Sequence, residues 1–408
     1  RPRQIVVPPV YQEKNLWKVM EDAISTWQVI KEALPVSTWQ GKPEDPHGIF
    51  LFSGRFRELG FDENNDFISA VISAIPRPNQ AFWTMSALWS GWLWGKEAVT
   101  PIRQVLSRQR YDWNWHTNAL SFVFEGLHSM PMASKKVLGI VAEAEPMLLL
   151  AVLLAADQCD FRLAQFAQSL DDQIAQCVWE RNPLPVLSEK PEPAFNMARL
   201  AIRDYLSEKG ESATYQEIHT AALTKLAMHN SLALDIFLQN TNQAASETQK
   251  WLEALFQKGG ELLRVGGGGA SIETGDWWLS DPESIQTPLI DRIEEQVVRH
   301  LVKEGEIITP DLKDLIYHNF PGIFTPEDDV ILNCLESYAE LIDEKSHTWK
   351  LRESEQPAKR NSDIALMRSY VEQIGERLNY QVISQDPILW QTEGNLTPNF
   401  CFHVFSSA

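Results

Sequence analysis

The run Ile68-Ser-Ala-Val-Ile-Ser-Ala-Ile75 constrains the fold of this chain more than any other segment. A short, mostly apolar run of this length suits a strand better than a helix. Pro76-Arg77-Pro78-Asn79-Gln80 then stops it, because proline fixes φ and cannot donate to a strand ladder. An aromatic-dense segment, Ala81 to Trp94, follows directly. In an open α/β sheet, a polar loop beyond a strand's carboxyl end is where ligands bind.

The surrounding residues alternate strand and helix patterns. Gln4–Val7 reads as a short strand ending in Pro8-Pro9, and Lys14–Leu34 has helical periodicity. Ile49–Phe52 and Phe67–Ile75 are further strands, Ala119–Leu127 a helix, and Val137–Ala142 a buried strand. Pro146–Asp157 reads as a helix with proline in its first turn. Arg162–Leu170 and Ile174–Glu180 form an expected antiparallel pair joined at Asp171-Asp172. Such alternation predicts a mostly parallel, Rossmann-like sheet with helices on both faces.

Pro183, Pro185, Pro191 and Pro193 then mark a stiff linker. Beyond it the chain repeats itself. Leu206-Ser-Glu-Lys-Gly210-Glu211-Ser-Ala-Thr214 matches Leu301-Val-Lys-Glu-Gly305-Glu306-Ile-Ile-Thr309 in spacing. Each begins at the end of an amphipathic helix, Phe195–Leu206 or Ile290–Val302, where glycine can terminate the helix in a left-handed conformation. Thr214 and Thr309 are each expected to cap the next helix. Each copy closes with a hairpin: Glu261–Val265 with Trp277-Trp278-Leu279, and Ala339–Ile342 with Trp349-Lys-Leu351. Three helices and a β-hairpin make the winged-helix plan. A helix, Ile364–Leu378, and the strands Tyr380–Ile383, Ile388–Gln391 and Phe400–Phe405 complete a small α/β tail, read as truncated. The expected organisation is an α/β domain over 1–182, a linker over 183–193, winged-helix domains over 194–282 and 283–356, and the tail over 357–408.

The apolar strand, the proline loop and the aromatics behind it resemble the target-base loop of DNA amino-methyltransferases. In that family an Asp/Asn/Ser-Pro-Pro-aromatic tetrapeptide grips a flipped-out base. The aligned residues here are Ala74-Ile75-Pro76-Arg77, which lack the polar catalytic side chain and the stacking ring. The closing hairpin is similar to the end of the class I methyltransferase fold, so the resemblance spans roughly Ile49 to Arg181. It implies a degenerate methyltransferase-like domain, with S-adenosylmethionine as the cofactor to consider. No GxGxG turn lies between a strand and a helix, so the usual signature for that cofactor is missing.

Charge and composition narrow the partners. A net charge of −19 disfavours indiscriminate nucleic-acid binding, which relies on neutralising phosphates. Four widely spaced cysteines (Cys159, Cys177, Cys334, Cys401), with no CxxC pair, point to reduced thiols in the cytoplasm and to no zinc site. The longest apolar runs, such as Met147–Ala156, are short for a membrane span, so no membrane partner is expected. An opening Arg1 and an apolar run that stops at Ser-Ser-Ala read as a piece of a longer protein.

DNA is the expected partner, through local positive charge. Arg77 and Asn79 lie in the proline loop, Arg103, Arg108 and Arg110 form the densest basic patch, and Lys225 and His229 lie in the first repeat. Trp113, Trp115 and His116 adjoin that patch and suit a core at least as well as a stacking surface. Glu143 and Glu145 follow the strand Val137–Ala142 and are candidates for a cofactor's ribose. No residue is assigned a catalytic or metal-binding role. The functional expectation is a DNA-directed protein of a modification, defence or regulatory system without methyl transfer of its own. Two alternatives stand beside it: an amino-methyltransferase completed by a further segment or partner, and an assembly subunit whose winged-helix units bind protein.

Overall fold

The computed structural model describes residues 18, 21, 34–39, 47–52, 54, 58–59, 68–75, 77, 80–106, 112–130, 136–181, 193–233, 243–256, 260–267, 271–282, 284–385, 387–395 and 397–404. The expected strand Gln4–Val7, nearly all of the helix Lys14–Leu34, and Pro8-Pro9 fall outside them, as does residue 182 with most of the linker. Residues 1–66 and 67–408 form two compact units. In the first, β1 (Val36–Thr38) and β2 (Ile49–Leu51) pair in parallel. Trp39 closes this sheet, with its ring edge-on to Phe50 and its indole N–H donating to the Leu59 carbonyl at 3.0 Å. Ile49–Leu51 therefore belongs to a two-stranded sheet of its own.

The second unit opens on β3 (Val71–Ile75), β4 (Lys136–Ala142), β5 (Phe161–Ser169) and β6 (Ile174–Arg181), ordered β3-β4-β6-β5. β3 and β4 are parallel, and β6 runs antiparallel to both of its neighbours. Parallel pairing requires a crossover. Helices α1 (Gln80–Trp94), α2 (Thr100–Leu106) and α3 (Trp113–His128) lie within it. α3 starts at Trp113 rather than Ala119 because the Asp112 carboxylate accepts the Trp115 N–H at 2.7 Å and caps the helix.

α4 (Pro146–Asp157) is apolar all round and buried from Leu148 to Asp157, which explains why its sequence lacks an amphipathic period. Strand alternation places Val137, Val141, Cys177 and Trp179 on the core face, none more than 2% exposed. The opposite face carries Ile72, Ile140 and Ile174, which are 72%, 37% and 37% exposed. Among the described residues, helices thus cover one face of this sheet instead of the expected two.

The two repeats share one plan. The first runs α5 (Ala194–Lys209), β7 (Ala213–Thr214), α6 (Tyr215–Met228), α7 (Ala244–Ala254), β8 (Leu262–Val265) and β9 (Asp276–Leu279). The second runs α8 (Leu289–Glu304), β10 (Glu306–Ile308), α9 (Thr309–Asn319), α10 (Asp328–Tyr338), β11 (Ala339–Asp343) and β12 (Thr348–Leu351). In both, the short first strand pairs antiparallel with the last, giving the orders β7-β9-β8 and β10-β12-β11. Gly210 (φ 76) and Gly305 (φ 78) end α5 and α8, as their left-handed conformation allows.

The threonines differ. Thr214 caps α6 in a reciprocal box with Glu217. Thr309, against expectation, does not cap: Ile308 holds the cap position, and Thr309 is the first helical residue. Its hydroxyl donates to the His347 carbonyl at 3.2 Å and accepts the Trp349 indole N–H at 3.0 Å, drawn off by the adjoining hairpin.

In the tail, α11 (Pro357–Arg377) packs on the antiparallel strands β13 (Gln381–Gln385), β14 (Ile388–Gln391) and β15 (Phe400–Phe402). The whole is a mixed α/β structure. Among the described residues no helix is long and apolar enough to cross a membrane.

Candidate functional site

β3 and β4 end side by side, so the loops that follow them are neighbours. The first carries Arg77, the second Glu143 and Glu145. The Arg77 guanidinium bonds both carboxylates, reaching Glu145 Oε2 at 2.6 Å. The structure thus joins three residues that the sequence assigns to two ligands, an arginine for nucleic acid and two carboxylates for a cofactor.

Local backbone sets up the contact. Glu143 adopts φ 55, uncommon for a residue with a Cβ, and so tightens the turn. Glu145 stands at the N-cap of α4 in an extended conformation, but its side chain caps nothing and turns to Arg77. Ala144, between them, is 1% exposed. Its N–H donates to the Gln173 carbonyl at 2.7 Å, and its carbonyl accepts Gln216 Nε2 at 3.1 Å. Gln168 Oε1 in turn accepts the Thr220 hydroxyl at 3.1 Å. The loop is therefore held from the closing hairpin and from the first repeat together. Its ion pairs are partly exposed, each worth on the order of 0–1 kcal/mol. Two carboxylates on one guanidinium leave the site net negative, so a phosphate must displace a carboxylate to reach Arg77.

The other expected site residues are scattered. Asn79, Arg108 and Arg110 lie outside the described residues. Arg103 is exposed on α2. Lys225 is exposed on the last turn of α6, and His229 follows with its Nδ1 at 2.9 Å from the Lys225 carbonyl. His116 is 6% exposed, and Trp113 and Trp115 are half-buried, so these rings belong mainly to the core.

Two buried polar groups and one half-buried ion pair have no sequence forecast. Asp157, at the end of α4, accepts the Ala233 N–H at 2.7 Å. Burial pushes its carboxyl up to about 7, with Asp160 adding repulsion. His219 is wholly enclosed by α6 and its neighbours, and burial lowers it to about 4, so its ring is neutral. Its Nε2 lies 3.0 Å from Gln249 Oε1, which fixes that nitrogen as the donor. Lys209 bonds Glu217 at 2.6 Å. Although burial pushes the Glu217 carboxyl up, Lys209 and the Thr214 bonds outweigh it and hold it below the usual range. The only sequence signal for these groups is the Thr214–Glu217 spacing. Among the described residues no group of three His, Cys, Asp or Glu is placed to hold a metal ion.

No protein-family model, curated protein or solved structure matches the chain at a significant level.

Proposed function

We propose that the chain is an assembly subunit of a DNA-directed modification, defence or regulatory system. In this reading its methyltransferase-like sheet transfers no methyl group, and its winged-helix-type repeats contact protein. The identical order of elements in the two repeats supports the winged-helix reading. The parallel β3–β4 pair with its reversed closing hairpin supports the likeness to a class I methyltransferase sheet.

One observation carries the protein-contact reading. A helix-turn-helix module normally lays its recognition helix in the DNA major groove. Here the corresponding helices are acidic on their outer faces. α10 exposes Asp328, Asp329, Asn333 and Glu336, and α7 exposes Glu247, Lys250 and Glu253. Like charge would repel the phosphates at both. α7 is, moreover, already docked on protein: Asn114 of α3 bonds the Ser246 hydroxyl at 2.6 Å and the Ser246 N–H at 3.0 Å.

A second reading, direct binding of nucleic acid, rests on Arg103 and the α1 rings. Trp92 and Trp94 are 72% and 73% exposed, and positive charge together with exposed rings suits single-stranded bases.

Affinity purification of the full chain from its native cells, with and without nuclease, separates the two. The assembly reading predicts a stoichiometric protein partner that survives nuclease and high salt. Co-purification of nucleic acid alone contradicts it.

A further inference from the structure

From the cavity between β3, β4 and α3 we infer a binding site for a neutral, flat molecule of about two fused aromatic rings. The cavity measures about 300 Å³. An apolar cavity of roughly half that volume stays dry and takes up benzene, so this one matches an indole- or naphthalene-sized guest. Rings form much of its wall: Trp83 from α1, Trp115 and Phe124 from α3, and Trp179 from β6. Phe124 and Trp179 meet edge to face at 5.4 Å, which presents an aromatic edge and an aromatic face to anything inserted beside them.

A glycine keeps this space open. At Gly139 on β4 a Cβ would stand 2.4 Å from the Trp179 ring and 3.0 Å from Ile75 Cδ1. Only glycine lets the indole lie across the neighbouring strand and serve as wall instead of being driven into the cavity. Trp179 is wholly buried, and its indole N–H finds no acceptor among the described residues. Cores seldom leave such a donor unanswered.

The surroundings select against charge. The cation that lines the cavity, Arg77, is engaged by Glu143 and Glu145, so it offers an anion little attraction. Glu143 and Glu145 bond Arg77 and do not line the cavity themselves, so a cation inside it meets no carboxylate. Nucleobases fit poorly, because their polar edges would meet mostly apolar walls.

Calorimetric titration of the full chain with indole and with 2-naphthol tests the site. Saturable 1:1 binding is expected, weakened at least tenfold by Ala119→Phe, which fills the cavity from α3. Val123→Phe, at a position 43% exposed beside the cavity, serves where the first variant fails to fold. Circular dichroism identifies the folded variants. Absence of saturable binding up to the solubility of both compounds overturns the assignment, as does undiminished binding to a folded variant. Tighter binding of indole-3-acetate or adenine than of indole would overturn the neutral, apolar ligand class.

Discussion

The Glu327 carboxylate accepts the Ser169 hydroxyl at 2.8 Å and so ties the second repeat to the closing hairpin of the sheet. Its other oxygen accepts the Leu170 N–H, and the nearby Phe324 stacks on Tyr205 of the first repeat at 5.3 Å between centroids. A charged acceptor on a hydroxyl and a backbone N–H is stronger than a neutral one. Glu327→Ala is expected to cost about 1–3 kcal/mol and to loosen residues 320–328 and 168–172 together. Hydrogen exchange checks this: protection should fall in both segments, whereas loss in only one would contradict a clamp.

The two repeats should respond differently to the same change. Thr214→Ala removes a capping box and should cost about 1 kcal/mol. Thr309→Ala removes no cap, but leaves the Trp349 indole N–H without its acceptor. Chemical denaturation gives the costs, and indole nitrogen shifts in NMR should move for Trp349 only in the second variant.

The repeat glycines also diverge. A Cβ at Gly210 would lie 2.4 Å from the Gln286 carbonyl oxygen, whereas at Gly305 it meets nothing within 4 Å. Gly305→Ala should cost about 1 kcal/mol, from left-handed strain alone. Gly210→Ala adds a backbone clash and should cost at least about 2 kcal/mol. Equal costs, read from melting or denaturant midpoints, would contradict the close approach at Gly210.

These contrasts show what the sequence carries. Helix ends in the repeats were legible because glycine termination and the Thr214 cap are local signals. Thr309 misled because Trp349 and His347, which take its hydroxyl, come from a hairpin distant in sequence. Arg77 and the Glu143–Glu145 pair were each recognisable from their place after a strand. Their mutual bonding depends on β3 and β4 being adjacent, which no short pattern encodes. Glu327 and Ser169 lie 158 positions apart, so their contact was invisible. The single covered face of the sheet was equally hidden, since Val71–Ile75 is uncharged on both sides of the strand.

Asp157 predicts a pH dependence. Its carboxyl ordinarily titrates near 3.8 and in the fold near 7, so the folded chain holds this proton more tightly. Its contribution is fully present below the ordinary value and is lost as pH rises through the folded one. Asp157→Asn keeps an oxygen for the Ala233 N–H and removes the buried charge. The variant should match the parent near pH 4 and exceed it by up to about 4 kcal/mol near pH 8. Denaturant unfolding at both values checks this, and a variant less stable than the parent at the higher pH would contradict it.

The central claim, that the repeats turn toward protein and not DNA, is tested most directly by titrating labelled duplex with the full chain across salt concentrations. The account predicts weak binding with little salt dependence, unchanged by Arg103→Glu. Tight binding that falls steeply with salt, at roughly one log–log unit per phosphate contact, would contradict it, above all if Arg103→Glu flattened the slope.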